Sequence, residues 1–443
     1  MTAKGLYNPR NTSILILPCC SLFINAAQAT TATLTESPAY ASKRPCAKSC
    51  FYWGSSTQGG ADFLAEGIGC AVDPFENECI CRSDLQQTAD SFLHKCGVNA
   101  IDVSSAIRIY DDYCLWTWKC FWIVVMQDKL LYISWLPPFA RSEQISDYAG
   151  ECKPVRWEEK RIRSSDGTKL AVCEGWMPAT PRSVTQKPHA QARKKLVVIC
   201  YFQGNGGSTP MRLPLLSQFL RTINPPTPSS EVDYLVVALS YRGYWKSSGR
   251  ASQIGIELDA VAFLQWVAET YGAPDRDVRM VLWGHSLGTA IASSAAATYL
   301  ARQLSSPRVP VSGMILEAPM SSTKDMLISL YPQKWLPYRY LWPFLWNNWS
   351  SAVALERMAR WRDQDRDPRG HEYEHEIPPI LLLSAENDEV IPAYAAAELE
   401  QEGRRLGLKV DRLDVSGAMH TEIPVKAAGR QAMIDFIKKC TTS

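Results

Sequence analysis

The stretch Val281–Ala290, VLWGHSLGTA, holds a serine between two glycines, each two positions away from it. An apolar run precedes this stretch and an alanine-rich run follows it, which is typical of a buried strand that turns into a helix. Gly284 and Gly288 leave room for a turn so sharp that Ser286 must adopt a strained backbone, which lifts its hydroxyl clear of the sheet. A serine is a weak nucleophile at neutral pH, so this hypothesis requires a base, an acid that orients the base, and donors for an oxyanion.

Short runs rich in Val, Leu and Ile alternate with helix-length segments along the C-terminal part of the chain. Their continuous apolar composition indicates burial on both faces, as in a parallel sheet covered by helices. Ahead of them, two alternating segments flank Ser165-Asp166-Gly167 and predict an antiparallel hairpin. The sequence therefore predicts an α/β fold with a mostly parallel, open sheet. The expected strands are KLVVICYF (195–202), YLVVALSY (234–241), RMVLWGHS (279–286), GMILEAP (313–319), PPILLLSAE (378–386) and LKVDRLDV (408–415).

The residues that follow each strand are the candidates for a site, because ligands bind at the carboxyl ends of the strands in such sheets. Asp388 follows the strand at 378–386, and His420 follows the last strand. We expect His420 to act as the base toward Ser286, and Asp388 to orient the imidazole and stabilise its cation. The competing carboxylates are Glu386 and Glu389, for which ordinary surface solvation is the favoured role.

A glycine-rich loop, Gln203-Gly204-Asn205-Gly206-Gly207, follows the first parallel strand. Its backbone N–H groups can converge on an oxyanion, so the expected donors are the N–H of Asn205 and that of Leu287, the residue after the nucleophile. His285 is expected to pack beside the turn rather than to react. This chemistry needs no cofactor and no metal, and HEYEHE (371–376) is interpreted as a solvated acidic loop rather than a metal site.

Several segments occur in the order of a known family: QGNGG, SYRGYWKSSG, GHSLG, ENDEVIP and GAMH. Together with the order Ser286, Asp388, His420, they resemble the α/β-hydrolase fold over 127–443. The closest resemblance is to membrane-associated serine hydrolases that include fungal bud-emergence homologues, animal lysophospholipases and protein depalmitoylases. The resemblance implies a serine esterase or lipase that cleaves acyl esters or thioesters of lipids or lipidated substrates. Gln203 stands where relatives commonly have His, which leaves the backbone donor in place.

The connection between Pro319 and Pro378 is too long for a simple loop, and we interpret about 320–377 as a lid. Two interpretations of its aromatic residues remain open. The rings form walls around an acyl chain or contact a lipid surface, or they fill the domain's own core. The rings are those of Trp335, Tyr338, Tyr340, Trp342, Phe344, Trp346 and Trp349.

Cysteines are concentrated in one segment, 40–120, which is typical of a disulfide-stapled module in an oxidising compartment, with a zinc site as the alternative. The disulfide candidates are Cys46, Cys50, Cys70, Cys79, Cys81, Cys96, Cys114 and Cys120. Their pattern resembles the CFEM domain of fungal extracellular and membrane proteins, a small disulfide-rich helical domain. In some members an Asp before the CxC ligates haem iron. Asp73 occupies that position here, and a helix cap is its favoured role.

The N-terminal residues 1–29 combine a basic start, an apolar stretch and the small-x-small pattern Ala27-Gln28-Ala29, which predicts a signal peptide and a secreted or cell-surface protein. If this region is an error of the gene model, the hydrolase is intracellular and membrane-associated. Charges cut the apolar stretch Leu115–Phe139 into pieces too short to span a bilayer, so an interfacial or buried segment is favoured. A net charge of +2 argues against nucleic acid as a partner. The alternative function is haem binding or surface interaction by the CFEM-like domain, with a catalytically silent hydrolase scaffold.

Overall fold

The computed structural model describes residues 118–178, 195–224, 232–272, 276–302, 309–330, 340–364 and 376–442. The chain divides into two compact units, Met1–Trp122 and Ile123–Ser443, and the fold below is that of the second unit. The signal peptide, Asp73 and the first seven disulfide candidates lie outside the described residues. The predicted CFEM-like domain therefore stays a prediction.

Cys120 is the one disulfide candidate that lies within the described residues. It is a free cysteine in the helical residues 118–125. Burial raises the pKa of its thiol to about 11, so the thiol is protonated at neutral pH and is a poor partner for disulfide exchange. Because its seven candidate partners lie outside the described residues, the disulfides of this segment stay a prediction.

Within the described residues, eight strands form one sheet in the order β1-β2-β4-β3-β5-β6-β7-β8. β2 runs antiparallel to both of its neighbours, and the remaining neighbouring pairs are parallel. The strands are β1 (Arg156–Arg163), β2 (Lys169–Trp176), β3 (Lys195–Phe202), β4 (Val232–Ser240), β5 (Val278–His285), β6 (Val311–Glu317), β7 (Ile380–Ala385) and β8 (Val410–Val415). The predicted mostly parallel sheet and the leading hairpin are confirmed.

Helices occupy the stretches between and around the strands. From residue 127 onward, the described α-helices are α1 (Gln127–Leu131), α2 (Ala149–Cys152), α3 (Leu213–Ile223), α4 (Gln253–Tyr271), α5 (Leu287–Ala301), α6 (Thr323–Leu330), α7 (Ser351–Gln364), α8 (Tyr394–Arg405) and α9 (Ala427–Thr442). α4 begins at an N-cap, Ser252, whose hydroxyl accepts from the N–H of Gly255. None of the helices in the described ranges is long and apolar enough to cross a bilayer.

The sheet is buried on both faces, which accounts for its continuous apolar strands. Along β3, Leu196 and Val198 belong to one core cluster with α4, α5 and α7, whereas Val197 and Ile199 belong to a second cluster with α3 and α9. Successive side chains of a strand point to opposite faces, so each cluster takes alternate residues. Cys200 is a buried free thiol in this strand.

The connection from β6 to β7 contains both core and surface elements. In α7, Leu355 and Met358 are fully buried in the core cluster that also includes α5. Trp349, just before α7, is 1% exposed, and its Nε1 donates to the hydroxyl of Tyr132 over 2.8 Å. By contrast, Trp342 and Trp346 are 42% and 55% exposed. Trp349 therefore fills the domain's own core, whereas contact of the exposed rings with an acyl chain or a lipid surface stays a prediction.

Candidate active site

Ser286 lies at the turn between β5 and α5, with φ 53° and ψ −122°. This left-handed conformation is strained for a residue with a side chain. A Cβ on Gly284 would overlap the carbonyl oxygen of Gly288, and a Cβ on Gly288 would overlap that of Phe202. The predicted need for glycine on both sides of the serine is therefore confirmed, because the turn, α5 and β3 pack backbone against backbone.

Backbone hydrogen bonds hold the strained turn in place. The N–H of Ser286 donates to the carbonyl of Glu317 at the end of β6, over 2.9 Å. The carbonyl of Ser286 accepts from the N–H of Thr289, over 2.9 Å, and from its hydroxyl, over 2.6 Å. The neighbouring strand and the first turn of α5 thus fix the orientation from which the Ser286 side chain projects.

The structure brings Asp388 and His420 together. Nδ1 of His420 lies 2.9 Å from each carboxylate oxygen of Asp388, and the two side chains are 9% and 4% exposed. Oδ1 of Asp388 also accepts from the N–H groups of Val390 and Ile391, over 2.9 and 2.7 Å. A carboxylate only accepts hydrogen bonds, so the proton of the neutral imidazole is on Nδ1 and Nε2 is free to accept one.

Two glutamates that the sequence assigned to surface solvation also support the loop that carries His420. Oε2 of Glu389 accepts from the N–H of His420, over 3.1 Å, and Oε2 of Glu386 accepts from the N–H of Gly417, over 2.8 Å. Both side chains are surface-exposed, yet each has a specific acceptor role. Their position beside Asp388, after a strand that pairs with β8, is the signal from which this role could have been expected.

The glycine-rich loop after β3 lies against the nucleophile turn. A Cβ on Gly204 would lie 3.3 Å from Cβ of Ser286. Among the described residues, neither the N–H of Asn205 nor that of Leu287 donates to a protein acceptor, and Leu287 is the first residue of α5. Both N–H groups therefore have capacity for an incoming anion, and the first turn of a helix favours negative charge.

Two tyrosines of the YRGY segment (241–244) hydrogen-bond the glycine-rich loop. The hydroxyl of Tyr241 donates to the carbonyl of Gln203 over 2.8 Å, and that of Tyr244 lies 3.2 Å from Oδ1 of Asn205. Oε1 of Gln203 accepts from the hydroxyl of Thr209 over 2.8 Å. The side chain of Gln203 is thus anchored to Thr209, which follows the loop, and its carbonyl is held separately by Tyr241.

A buried polar cluster lies beneath the turn. Nε1 of Trp283 donates to Oε2 of Glu317 over 2.7 Å, and burial raises the pKa of this carboxyl to about 8. Burial, together with the nearby Arg212 and His420, holds the pKa of His285 well below its ordinary value. At neutral pH, both Glu317 and His285 are therefore uncharged. Within the described ranges, no group of three or more His, Cys, Asp or Glu side chains is placed to hold a metal ion.

Comparison with known proteins identifies the domain. Residues 210–424 match the α/β hydrolase family model. The second unit has the α/β-hydrolase fold. The matched span includes Ser286, Asp388 and His420, and it ends before α9. With the sheet described above, this match confirms the fold expected from the sequence.

Curated relatives of this domain include lipid hydrolases. The lysophosphatidylserine lipase ABHD12 of Danio rerio is 31% identical over 170 residues, which are 38% of this chain and 40% of that protein. The protein bem46 of Schizosaccharomyces pombe is 27% identical over 194 residues, which are 44% of this chain and 52% of that protein. The chain thus spans about half or less of the length of these relatives. The relatives and the family match support the expectation of a serine ester hydrolase.

Solved structures with a similar fold include hydrolases and esterases. An α/β hydrolase from Vibrio vulnificus covers 72% of this chain and 92% of its own, with a TM-score of 0.48 and 17% identity. Fungal esterases from Rhizomucor miehei give a TM-score of 0.44 at 16% identity, over 70% of this chain and 93% of theirs. The assignment of the fold rests on the family match and the sheet topology.

Proposed function

We propose that this protein is a serine hydrolase that cleaves acyl esters or thioesters of lipids or lipidated substrates through an acyl-enzyme. One observation carries the proposal. The serine in the strained turn after β5 lies beside a glycine-rich loop, and the same sheet edge holds an imidazole fixed by a buried carboxylate. These are the parts that an activated serine requires.

The groups of the site act in turn as base, acid and oxyanion donors. Nε2 of His420 takes the proton of Ser286 as Oγ attacks the carbonyl carbon, and Asp388 stabilises the imidazolium. The N–H groups of Asn205 and Leu287 donate to the oxyanion. His420 then protonates the departing alcohol or thiol, which leaves an acyl-Ser286 ester. Water, deprotonated by His420, attacks this ester and releases the acid and the serine.

A lipid substrate is supported by the surface of the β6–β7 connection and by the relatives. Tyr340, Trp342 and Trp346 expose 48%, 42% and 55% of their surface, and the ammonium of Lys324 lies 4.0 Å above the ring of Trp342. Amphipathic rings with nearby cations suit contact with lipid headgroups. The ABHD12 proteins are lysophosphatidylserine lipases by name. We therefore infer that the substrate is presented at a lipid surface.

The N-terminal region gives the proposal its cellular context. We propose that the protein enters the secretory pathway, on the basis of the signal peptide and the CFEM-like module that the sequence predicts. Haem binding at Asp73 is the alternative activity, with the hydrolase domain as a silent scaffold. The ordered pairing of His420 with Asp388 favours the hydrolase, because a scaffold needs neither the buried carboxylate nor the strained serine.

The test is covalent labelling of the intact protein with a fluorophosphonate. We expect Ser286 to be labelled, and Ser286→Ala to abolish labelling and hydrolysis of p-nitrophenyl butyrate, because an activated serine attacks phosphorus as it attacks carbonyl carbon. Ser293→Ala is the matched control, since Ser293 is a buried serine of α5 that hydrogen-bonds the carbonyl of Thr289. His420→Ala and Asp388→Asn should lose about 10³-fold or more in kcat without unfolding.

Labelling that persists in Ser286→Ala would exclude this serine as the nucleophile. Retention of most activity by His420→Ala or Asp388→Asn would show that the base or its orienting acid lies elsewhere.

A further inference from the structure

The side chain of His285, the residue before the nucleophile, contacts the other two loops of the candidate site. Its Nδ1 lies 3.4 Å from Nη2 of Arg212, in the turn that continues from the glycine-rich loop. Its Nε2 lies 3.2 Å from the carbonyl oxygen of His420. The two imidazole rings are 5.0 Å apart between centroids, and the His285 side chain is 3% exposed.

The partners of His285 determine its tautomer. A guanidinium only donates hydrogen bonds, so Nδ1 of His285 accepts from Arg212, and the proton of the neutral ring must be on Nε2. Nε2–H then donates to the carbonyl of His420. Oε1 of Glu317, 3.9 Å from the same nitrogen, is too distant to compete as an acceptor.

Three hydrogen bonds hold His420 in place. Its carbonyl accepts from His285, its N–H donates to Glu389, and its Nδ1 donates to Asp388. The bond to His285 is the one of these three that reaches directly to the strand carrying Ser286. It therefore sets the position of the base's backbone relative to the nucleophile turn.

We propose that His285 is a positioning residue, whose Nε2–H holds the main chain of His420 at the correct distance and angle from Ser286. Arg212, in the turn that follows the glycine-rich loop, fixes the same ring from its other nitrogen. The inference rests on the proposed function. Catalysis by oriented groups is sensitive to such a link, since a displacement of about 1 Å can cost about 10²-fold in rate.

Two amide variants of the intact protein separate this role from simple packing. The amide nitrogen of Gln can occupy the place of Nε2 and donate to His420, whereas the shorter Asn side chain ends near the place of Nδ1. We expect His285→Asn to lower kcat for p-nitrophenyl butyrate by about 10- to 100-fold with KM changed by less than about twofold. His285→Gln should recover most of kcat. The rate of fluorophosphonate labelling should follow the same order.

If His285 served only in packing, both variants would melt at a lower temperature, and kcat would not depend on whether the amide nitrogen can donate to the carbonyl of His420. Wild-type kcat in His285→Asn, or equal loss in Asn and Gln variants, would overturn the inference. These outcomes are distinguishable from failure of the proposed function, in which the wild-type protein itself would show no labelling of Ser286.

Discussion

At the scale of single residues, the most unusual group is the carboxyl of Glu317. It is 2% exposed, it accepts from Trp283, and its backbone carbonyl holds the N–H of Ser286. Burial raises its pKa from the ordinary 4.5 to about 8, despite the opposing effect of Arg212, and Asp388 adds to the rise. At neutral pH the Glu317 carboxyl is therefore protonated and does not place a second negative charge near Asp388.

This pKa predicts how stability depends on pH. Between about 4.5 and about 8 the folded protein keeps a proton on Glu317 that the unfolded chain has lost. The contribution of this group to the free energy of unfolding therefore falls as pH rises, with a limiting slope of about 1.4 kcal/mol per pH unit, and levels off above pH 8. Glu317→Gln keeps an acceptor for Trp283 and removes the titration.

The measurement is urea unfolding of wild type and Glu317→Gln across this pH range. We expect the variant's advantage to grow with pH up to about 8. Glu376→Gln, which removes an exposed carboxylate, controls for the loss of one charge. A constant difference between wild type and Glu317→Gln would contradict the buried, protonated carboxyl.

At the scale of elements, the site depends on how closely α5 approaches β3. The N-terminal turn of α5 contains Gly288, whose hydrogen in place of a side chain lets the helix backbone reach the carbonyls of Phe202 and Gln203. Small residues also line the buried part of α5, where Ala290, Ala292 and Ala296 are fully buried. This approach places the N–H of Leu287 beside the glycine-rich loop.

Gly288→Ala should therefore disturb both stability and activity. The added methyl overlaps backbone atoms, which cannot rotate away, so α5 must shift, and we expect a loss of at least about 1–3 kcal/mol in the free energy of unfolding. Hydrolysis should fall further than unfolding explains, because the shift moves an expected oxyanion donor. Gly150→Ala is the control for a glycine-to-alanine change in a helix. Gly150 lies in α2, and a Cβ there meets nothing within 4 Å. Wild-type stability in Gly288→Ala would refute the close backbone contact.

At the scale of the whole molecule, the second unit contains the sheet and all the candidate catalytic residues. Its first residues are integrated into the fold. The side chain of Gln127 hydrogen-bonds the backbone of Phe344 and Trp346, and Tyr132 hydrogen-bonds Trp349. The cysteines of this unit, Cys152, Cys173, Cys200 and Cys440, are free thiols. No disulfide among the described residues supports its stability.

A truncated chain that begins at Ile123 should therefore fold and hydrolyse short acyl esters at a rate close to that of the full chain, with and without dithiothreitol. A chain that begins at Ser134 is the matched control. It lacks Gln127 and Tyr132 and should melt at a lower temperature, because Trp349 loses its buried hydrogen-bond partner. Insolubility of the longer truncated chain would show that the Cys-rich segment is structurally required.

Much of the sheet and the candidate triad could be predicted from the sequence, because those signals are local. Apolar runs marked the parallel strands, and Gly284 and Gly288 marked the sharp turn. The positions of Ser286, Asp388 and His420 after three parallel strands, β5, β7 and β8, placed them at one edge, since the carboxyl ends of parallel strands meet there. These inferences need only periodicity, glycine geometry and chain order.

Tertiary structure alone decided which neighbours each group has. Trp349 and Trp346 occur in one aromatic segment, yet one is buried against Tyr132 and the other is half exposed. His285 and Glu389 both hydrogen-bond the main chain of His420, and each lies more than thirty positions away from it in the sequence. Such contacts depend on the order of the strands in the sheet and on how closely backbone segments pack in three dimensions. Residue periodicity gives no information about either.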